Sequence, residues 1–206
     1  MPINFTNVIG SGADIDTSGI DATPTRILAS DQSEAIRTGG VESVVRAGGG
    51  DDEVFANHGR DTVYGGTGDD YIDGQGSNDS LRGGDDNDTI LGGGGNDNIM
   101  GDSGDDLIIG GNGNDILFGD TGHGQKDGTV GADTFLFDQD DGQDRVLDFV
   151  SGIDDVVLSG DTVALDGSDA DFSLYFNGIS TIVTYFDTTI TFVQSELTAA
   201  DFTFEV

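Results

Sequence analysis

Apolar residues recur along this chain at intervals of nine: Ile27, Ile36, Val45, Val54, Val63, Ile72, Leu81, Ile90, Ile99, Ile108 and Leu117. A period of nine is neither the helical repeat nor plain strand alternation, and self-similarity at a fixed period marks a repeat architecture. From Ala47 to Phe118 the units are contiguous and follow G-G-x-G-x-D-x-U-x, where U is a large aliphatic, as in Gly65-Gly66-Thr67-Gly68-Asp69-Asp70-Tyr71-Ile72-Asp73. The first six positions make a turn rich in Gly and Asp, and the last three make a short strand around one inward side chain. Two units reverse the chain twice, so eighteen residues return it to its start, about 4.8 Å further along. The expected fold is therefore all-β, a parallel β-roll of eighteen residues per turn. Ile36, Val54, Ile72, Ile90 and Ile108 belong to one face, and Ile27, Val45, Val63, Leu81, Ile99 and Leu117 to the other.

The pattern changes on both sides. Upstream the aliphatic period continues, but Glu34 and Ser43 stand where aspartate is expected, so residues 1–46 read as an extended N-terminal cap joining the roll. The roll proper is expected over 47–136. It is interrupted at 119–127, where Gly124 and Lys126 replace the aspartate and the aliphatic. From 137 to 206 aromatic and β-branched residues alternate, in Val146–Phe149, Asp155–Leu158, Phe172–Phe176, Thr181–Phe186 and Thr189–Val193, with Asn177-Gly178 as a hairpin signal. This stretch is expected to be antiparallel and to cap the last edge of the roll.

Composition adds the chemistry. The 206 residues include 40 Asp and Glu against 7 Lys and Arg, a net charge of −33, with no Cys and two His. Such a charge disfavours nucleic acid and anionic membrane surfaces, and no apolar run is long enough to span a bilayer. Carboxylates without thiols favour hard cations such as calcium. Aspartate falls two residues before the aliphatic in eight successive units, at Asp52, Asp61, Asp70, Asp79, Asp88, Asp97, Asp106 and Asp115. Stacked turns bring these within about 5 Å of each other, a repulsive arrangement unless a cation lies between. One aliphatic per nine residues, several of them glycine, is also too thin a core to offset the lost chain entropy. The pairs are Asp52 with Asp70, Asp61 with Asp79, Asp70 with Asp88, Asp79 with Asp97, Asp88 with Asp106 and Asp97 with Asp115. About six Ca2+ in two-aspartate sites follow.

These units resemble the RTX nonapeptide repeats of bacterial calcium-binding proteins exported by type I secretion. The resemblance implies a calcium-filled β-roll in which each ion is held by sixth-position aspartates and by carbonyls from positions one to four of the loops. Here those carbonyls would come from Gly65, Gly66, Gly68, Gly74, Gly76, Gly83, Gly92, Gly95, Gly101, Gly104, Gly110 and Gly113. Ser77 and Asp86 depart from the pattern at the fourth-position glycine, and the fifth-position residues, such as Asp69 and Asn87, are expected to face solvent. Residues 137–160 look like the C-terminal domain of such proteins, and Asp201–Val206 is similar to their uncleaved export signals. With no signal-peptide pattern at the N-terminus, the implied location is extracellular, by way of a type I secretion apparatus.

Several positions stay open. Glu34 either completes a calcium site with Asp52 or is a solvated cap residue. Asp133, where the pattern resumes, either pairs with Asp115 or is thrown out of register by the interruption. Asp138, Asp140, Asp144 and Asp148 either hold a further ion or form a solvated turn. His58 and His123 read as exposed loop residues, and no metalloprotease, phosphate-loop or serine-elbow motif is present. The functional expectation is a non-catalytic, secreted calcium-binding protein that folds on binding Ca2+. The alternative is a calcium-dependent module binding an extracellular glycan or surface.

Overall fold

Each aliphatic of the nine-residue period lies on a strand facing inward, and none of the eleven is more than 1% exposed. The computed structural model describes residues 6–10, 14–19, 24–120, 131–138, 141–159, 172–176, 180–185, 188–193, 197 and 201–205. The strands in chain order begin with β1 (Thr6–Ile9), β2 (Ile15–Asp16), β3 (Thr25–Leu28), β4 (Ala35–Arg37), β5 (Ser43–Gly49) and β6 (Glu53–Phe55). Next come β7 (Thr62–Thr67), β8 (Tyr71–Asp73), β9 (Ser80–Asp85), β10 (Thr89–Gly94), β11 (Asn98–Ser103), β12 (Leu107–Asn112) and β13 (Ile116–Asp120). The series ends with β14 (Thr134–Phe137), β15 (Gln143–Val146), β16 (Asp155–Ser159), β17 (Phe172–Phe176), β18 (Ser180–Tyr185), β19 (Thr188–Val193) and β20 (Phe202–Glu205).

Two sheets alternate along the chain. One has the order β1-β3-β5-β7-β9-β11-β13-β15-β19-β18-β17, the other β2-β4-β6-β8-β10-β12-β14-β16-β20. The parallel register pairs Val45 with Val63 and Val63 with Leu81 in the first sheet, and Val54 with Ile72 in the second, which is the face assignment expected from the sequence. Between the strands, the turns need left-handed backbone. Gly66 and Gly68 have φ of 130° and 110°, values that glycine alone adopts cheaply. The same conformation is forced on Gln75, Ser77, Asp86 and Asp102, at φ 66°, 86°, 78° and 85°.

The parallel roll extends further at both ends than the expected boundaries. β3 pairs with β5, and Ile27 lies beside Val45, so the first turns precede residue 47. At the other end β15 and β16 do not begin an antiparallel cap. They pair parallel with β13 and β14 and continue the roll, as does β20 on β16. The reason is local: Val146 and Val156 occupy the inward position opposite Leu117 and Phe135, so the alternation that reads as antiparallel also serves a parallel turn. Antiparallel pairing is confined to β17, β18 and β19. Asn177-Gly178 lies outside the described residues, as do His123, Gly124, Lys126 and Asp140. There the interior changes character. Phe149 packs on Phe135 at 6.1 Å and on Phe192 at 5.1 Å between ring centroids, and Phe137 meets Phe192 edge-on at 6.5 Å.

Candidate metal centre

The sixth position ends each loop just before the inward strand, so its side chain turns into the gap between successive turns. Every aspartate there is nearly sealed from solvent, from 0% exposure at Asp61 to 4% at Asp79. One oxygen of each carboxylate is used by the fold. Asp70 Oδ1 accepts the Asp52 N–H at 2.8 Å, Asp79 Oδ1 that of Asp61, Asp88 Oδ1 that of Asp70, Asp97 Oδ1 that of Asp79 and Asp106 Oδ1 that of Asp88. The eighteen-residue pairing is therefore real as geometry, each aspartate reaching back one turn.

The second oxygen is not used. Oδ2 of Asp52, Asp61, Asp70, Asp79, Asp88, Asp97, Asp106, Asp115, Asp133, Asp144 and Asp148 is buried without any hydrogen-bond partner. A buried acceptor left alone is costly, and a buried ionised one far more so. Burial, opposed in part by the backbone N–H bond, pushes the Asp79 and Asp88 carboxyls up to about 8 and those of Asp52, Asp61, Asp106 and Asp115 to about 7. Asp70 and Asp97 rise to about 6.

From Asp70 to Asp115 what these oxygens face is glycine. A methyl carbon at Gly65 would overlap Asp70 Oδ2 and lie 2.8 Å from Gly83 O. At Gly74 it would lie 2.7 Å from both Asp79 Oδ2 and Gly92 O, and at Gly83 it would overlap Asp88 Oδ2 and lie 2.8 Å from Gly101 O. Gly92 faces Asp97 Oδ2 and Gly110 O, and Gly101 faces Asp106 Oδ2 and Gly119 O. The missing side chain at position one thus leaves room where a carboxylate oxygen and a carbonyl oxygen of the next turn converge. Among the described residues no three His, Cys, Asp or Glu side chains group about one point. Carboxylate and main-chain oxygens are all hard oxygen ligands, which fits calcium. Gly66, Gly68, Gly95, Gly104 and Gly113 each have positive φ and stack closely on the backbone of the preceding turn. Gly76 packs beside His58.

The flanks resolve the open positions. Glu34 is 4% exposed, not solvated; its N–H donates to Asp52 Oδ1 at 2.7 Å and Ser30 Oγ donates to its carboxylate. Asp133 does not stack on Asp115. Its Oδ1 accepts the Asp106 N–H at 3.1 Å, across 27 residues, and Asp144 Oδ1 accepts that of Asp115 at 2.9 Å, across 29. β13 and β14 still fall in opposite sheets, so the aspartate after the interruption keeps the partner in its own sheet. Asp144 is 1% exposed, and so is part of the ladder and not a solvated turn. Asp154, which the nine-residue pattern does not reach, continues it by accepting the Asp133 N–H at 3.2 Å.

A second ladder runs along the loops in the opposite direction. The fifth-position residues are mainly exposed, as expected, yet they bond the main chain: Asp69 N–H donates to Asp51 Oδ1 at 3.1 Å, Asn87 N–H to Asp69 Oδ1 at 3.0 Å and Asp105 N–H to Asn87 Oδ1 at 2.8 Å. Asn78, Asn96 and Asn114 do the same on the other side. The signal for this was present, since that position carries only Asp or Asn from Asp69 to Asn114.

Comparison with known proteins agrees with this geometry. The family profile described as RTX calcium-binding nonapeptide repeat (4 copies) matches residues 42–72, 56–90, 64–99 and 91–125. The match places RTX calcium-binding nonapeptide repeats within residues 42–125, and calcium is the ion they imply. No curated protein sequence matches the chain. Among solved structures it is similar to the AlgE6R3 subunit of the Azotobacter vinelandii mannuronan C5-epimerase, at 27% identity and TM-score 0.44, covering 63% of this chain and 80% of that one. It is also similar to the extracellular lipase LipA from Serratia marcescens, at 17% identity and TM-score 0.34, over 88% of this chain but only 40% of the lipase.

Proposed function

We propose that the protein is a secreted, non-catalytic calcium-binding protein whose roll folds when calcium enters the gaps between turns. The observation that carries this is the row of buried Oδ2 atoms without a hydrogen bond, of which those from Asp70 to Asp115 each face a position-one glycine. Six ions would occupy the pairs from Asp52–Asp70 to Asp97–Asp115, with Asp106–Asp133 and Asp115–Asp144 offering the same arrangement. The loop glycines Gly65, Gly74, Gly83, Gly92, Gly101 and Gly110 would contribute carbonyls. When bound, the ion supplies positive charge to carboxylates that otherwise repel, and so ties binding to folding. Affinities of about 10⁻⁴–10⁻³ M, usual for extracellular calcium modules, would leave the chain unfolded for passage through a type I exporter. The C-terminal part from 137, including Asp201–Val206, would carry the export signal. Calorimetric titration, with circular dichroism in parallel, tests this: strand content should rise with calcium as several ions bind, and Asp79→Asn should remove ions from its two neighbouring gaps. Equal strand content in chelator and in millimolar calcium would refute it.

A second reading, a calcium-dependent glycan-binding or adhesion module, is favoured by the outer face of the first sheet. Arg46, Tyr64 and Arg82 lie in register there, with the Arg46 guanidinium 4.7 Å from the Tyr64 ring centre. Tyr64, Arg82 and Asp102 line a hollow of about 300 Å³, where Arg82 and Asp102 form a forked ion pair. Ring and guanidinium faces suit sugar rings. Glycan-array binding in calcium that disappears in Tyr64→Ala would support this reading, and no binding would leave the first alone.

A further inference from the structure

We propose one more cation site beyond the last nonapeptide repeat, between the Gly119 turn and the bend at Asp148, with the Asp133 and Asp148 carboxylates as its ligands. It rests on the calcium reading of the repeats. In the interior turns the group that faces a position-one glycine from the next turn is a carbonyl: Gly83 O opposite Gly65, Gly101 O opposite Gly83, Gly119 O opposite Gly101. At Gly119 two carboxylates approach instead, Asp133 on the side where a side chain would stand and Asp148 at the N–H. Asp148 Oδ1 accepts the Gly119 N–H at 2.9 Å, while its Oδ2 is buried with no hydrogen-bond partner. From the other side, Asp133 Oδ2 reaches the space that a side chain on Gly119 would fill. Asp133 is 1% exposed and this oxygen also has no partner.

Two carboxylates with an unpartnered oxygen each thus adjoin one glycine, which concentrates negative charge there. The charge of the surroundings reinforces it. Asp120 and Asp154 both act electrostatically on Asp133 and Asp148. Asp154 is itself fixed, its Oδ1 on the Asp133 N–H and its Oδ2 on the Val150 N–H at 2.7 Å. The charge environment of both carboxylates is thus acidic. A hard cation with room for water and carbonyl ligands satisfies both stranded oxygens, and calcium, which accepts six to eight oxygens, is the one the rest of the roll already selects.

The test uses the full chain. Calcium stoichiometry, by calorimetry and native mass spectrometry, is compared between wild type, Asp148→Asn and the interior variant Asp79→Asn. Asp148→Asn should bind one ion fewer than wild type and lose none from the repeats. The same ion count and affinities as wild type would overturn the proposal. Anomalous diffraction from wild-type crystals grown in calcium gives a measurement that does not depend on how a variant folds. It should show a peak about 2.3–2.6 Å from the Asp133 and Asp148 oxygens. Peaks in the interior gaps with none here would reject this site and leave the calcium reading standing, whereas no bound calcium anywhere would remove both.

Discussion

The roll is held together differently in its middle and at its C-terminal end. From β5 to β13 the interior is a single file of Val, Ile and Leu, one for each nine residues, flanked by buried carboxylates. Beyond β13 the file becomes Phe135, Phe137, Phe149 and Phe192 in mutual ring contact, and three antiparallel strands close the edge. The same winding is thus lined by a charged lattice throughout, and beyond β13 aromatic burial is added to it. The difference teaches that parallel pairing alone does not stabilise a turn this thin. Either the core is enlarged or the repulsion between turns must be cancelled.

The largest effect should come from removing calcium. In chelator, amide hydrogen exchange at β5–β13 should lose protection while β18 and β19 keep more of theirs. Equal loss in both regions would erase the contrast. Next, Phe192→Ala should cost about 3–5 kcal/mol, the usual range for a buried aromatic. It should lower the melting temperature in calcium while leaving the number of bound ions unchanged; a fall in ion count would mean that the two regions share one support.

A smaller effect follows from the buried carboxyls. In the metal-free roll they lie near 6 to 8, against 3.8 for an ordinary aspartate. The folded state therefore holds more protons than the unfolded chain between about pH 4 and 8. Its stability must fall as pH rises through that window. In chelator, strand content should be greater near pH 4.5 than at pH 8, and with calcium present half-saturation should need more ion at the lower pH. A pH-independent response would place the carboxylates outside the folding balance. The smallest effect concerns one turn: Ser77 has φ 86°, so Ser77→Gly should stabilise by up to about 1 kcal/mol, read from the thermal midpoint in calcium.

The repeat portion was legible because its spacing is invariant: once Ile72 and Ile90 are known to lie one turn apart, Asp70 and Asp88 must stack. The end was not legible for the same reason. Between Leu117 and Val146 the period fails, and no local rule says which aspartate meets which until β14 and β15 have taken their sheets. Asp144 and Asp154 entered the ladder by that route, and Asp133 found Asp106 instead of Asp115. The antiparallel reading of 143–159 failed because alternation records only that one face is buried, not which way the neighbouring strand runs.

The two opposed hydrogen-bond ladders bear on how such a chain can change length. Within the repeats each turn is tied to the turns eighteen residues before and after it, by the sixth position in one direction and the fifth in the other. Duplicating or deleting a pair of nonapeptides therefore leaves every downstream strand in its own sheet with equivalent neighbours. Losing a single nonapeptide transfers all of them to the opposite face, away from the C-terminal strands built to receive them. Length variants of this protein should accordingly differ in steps of two units, a parity rule written into the winding itself.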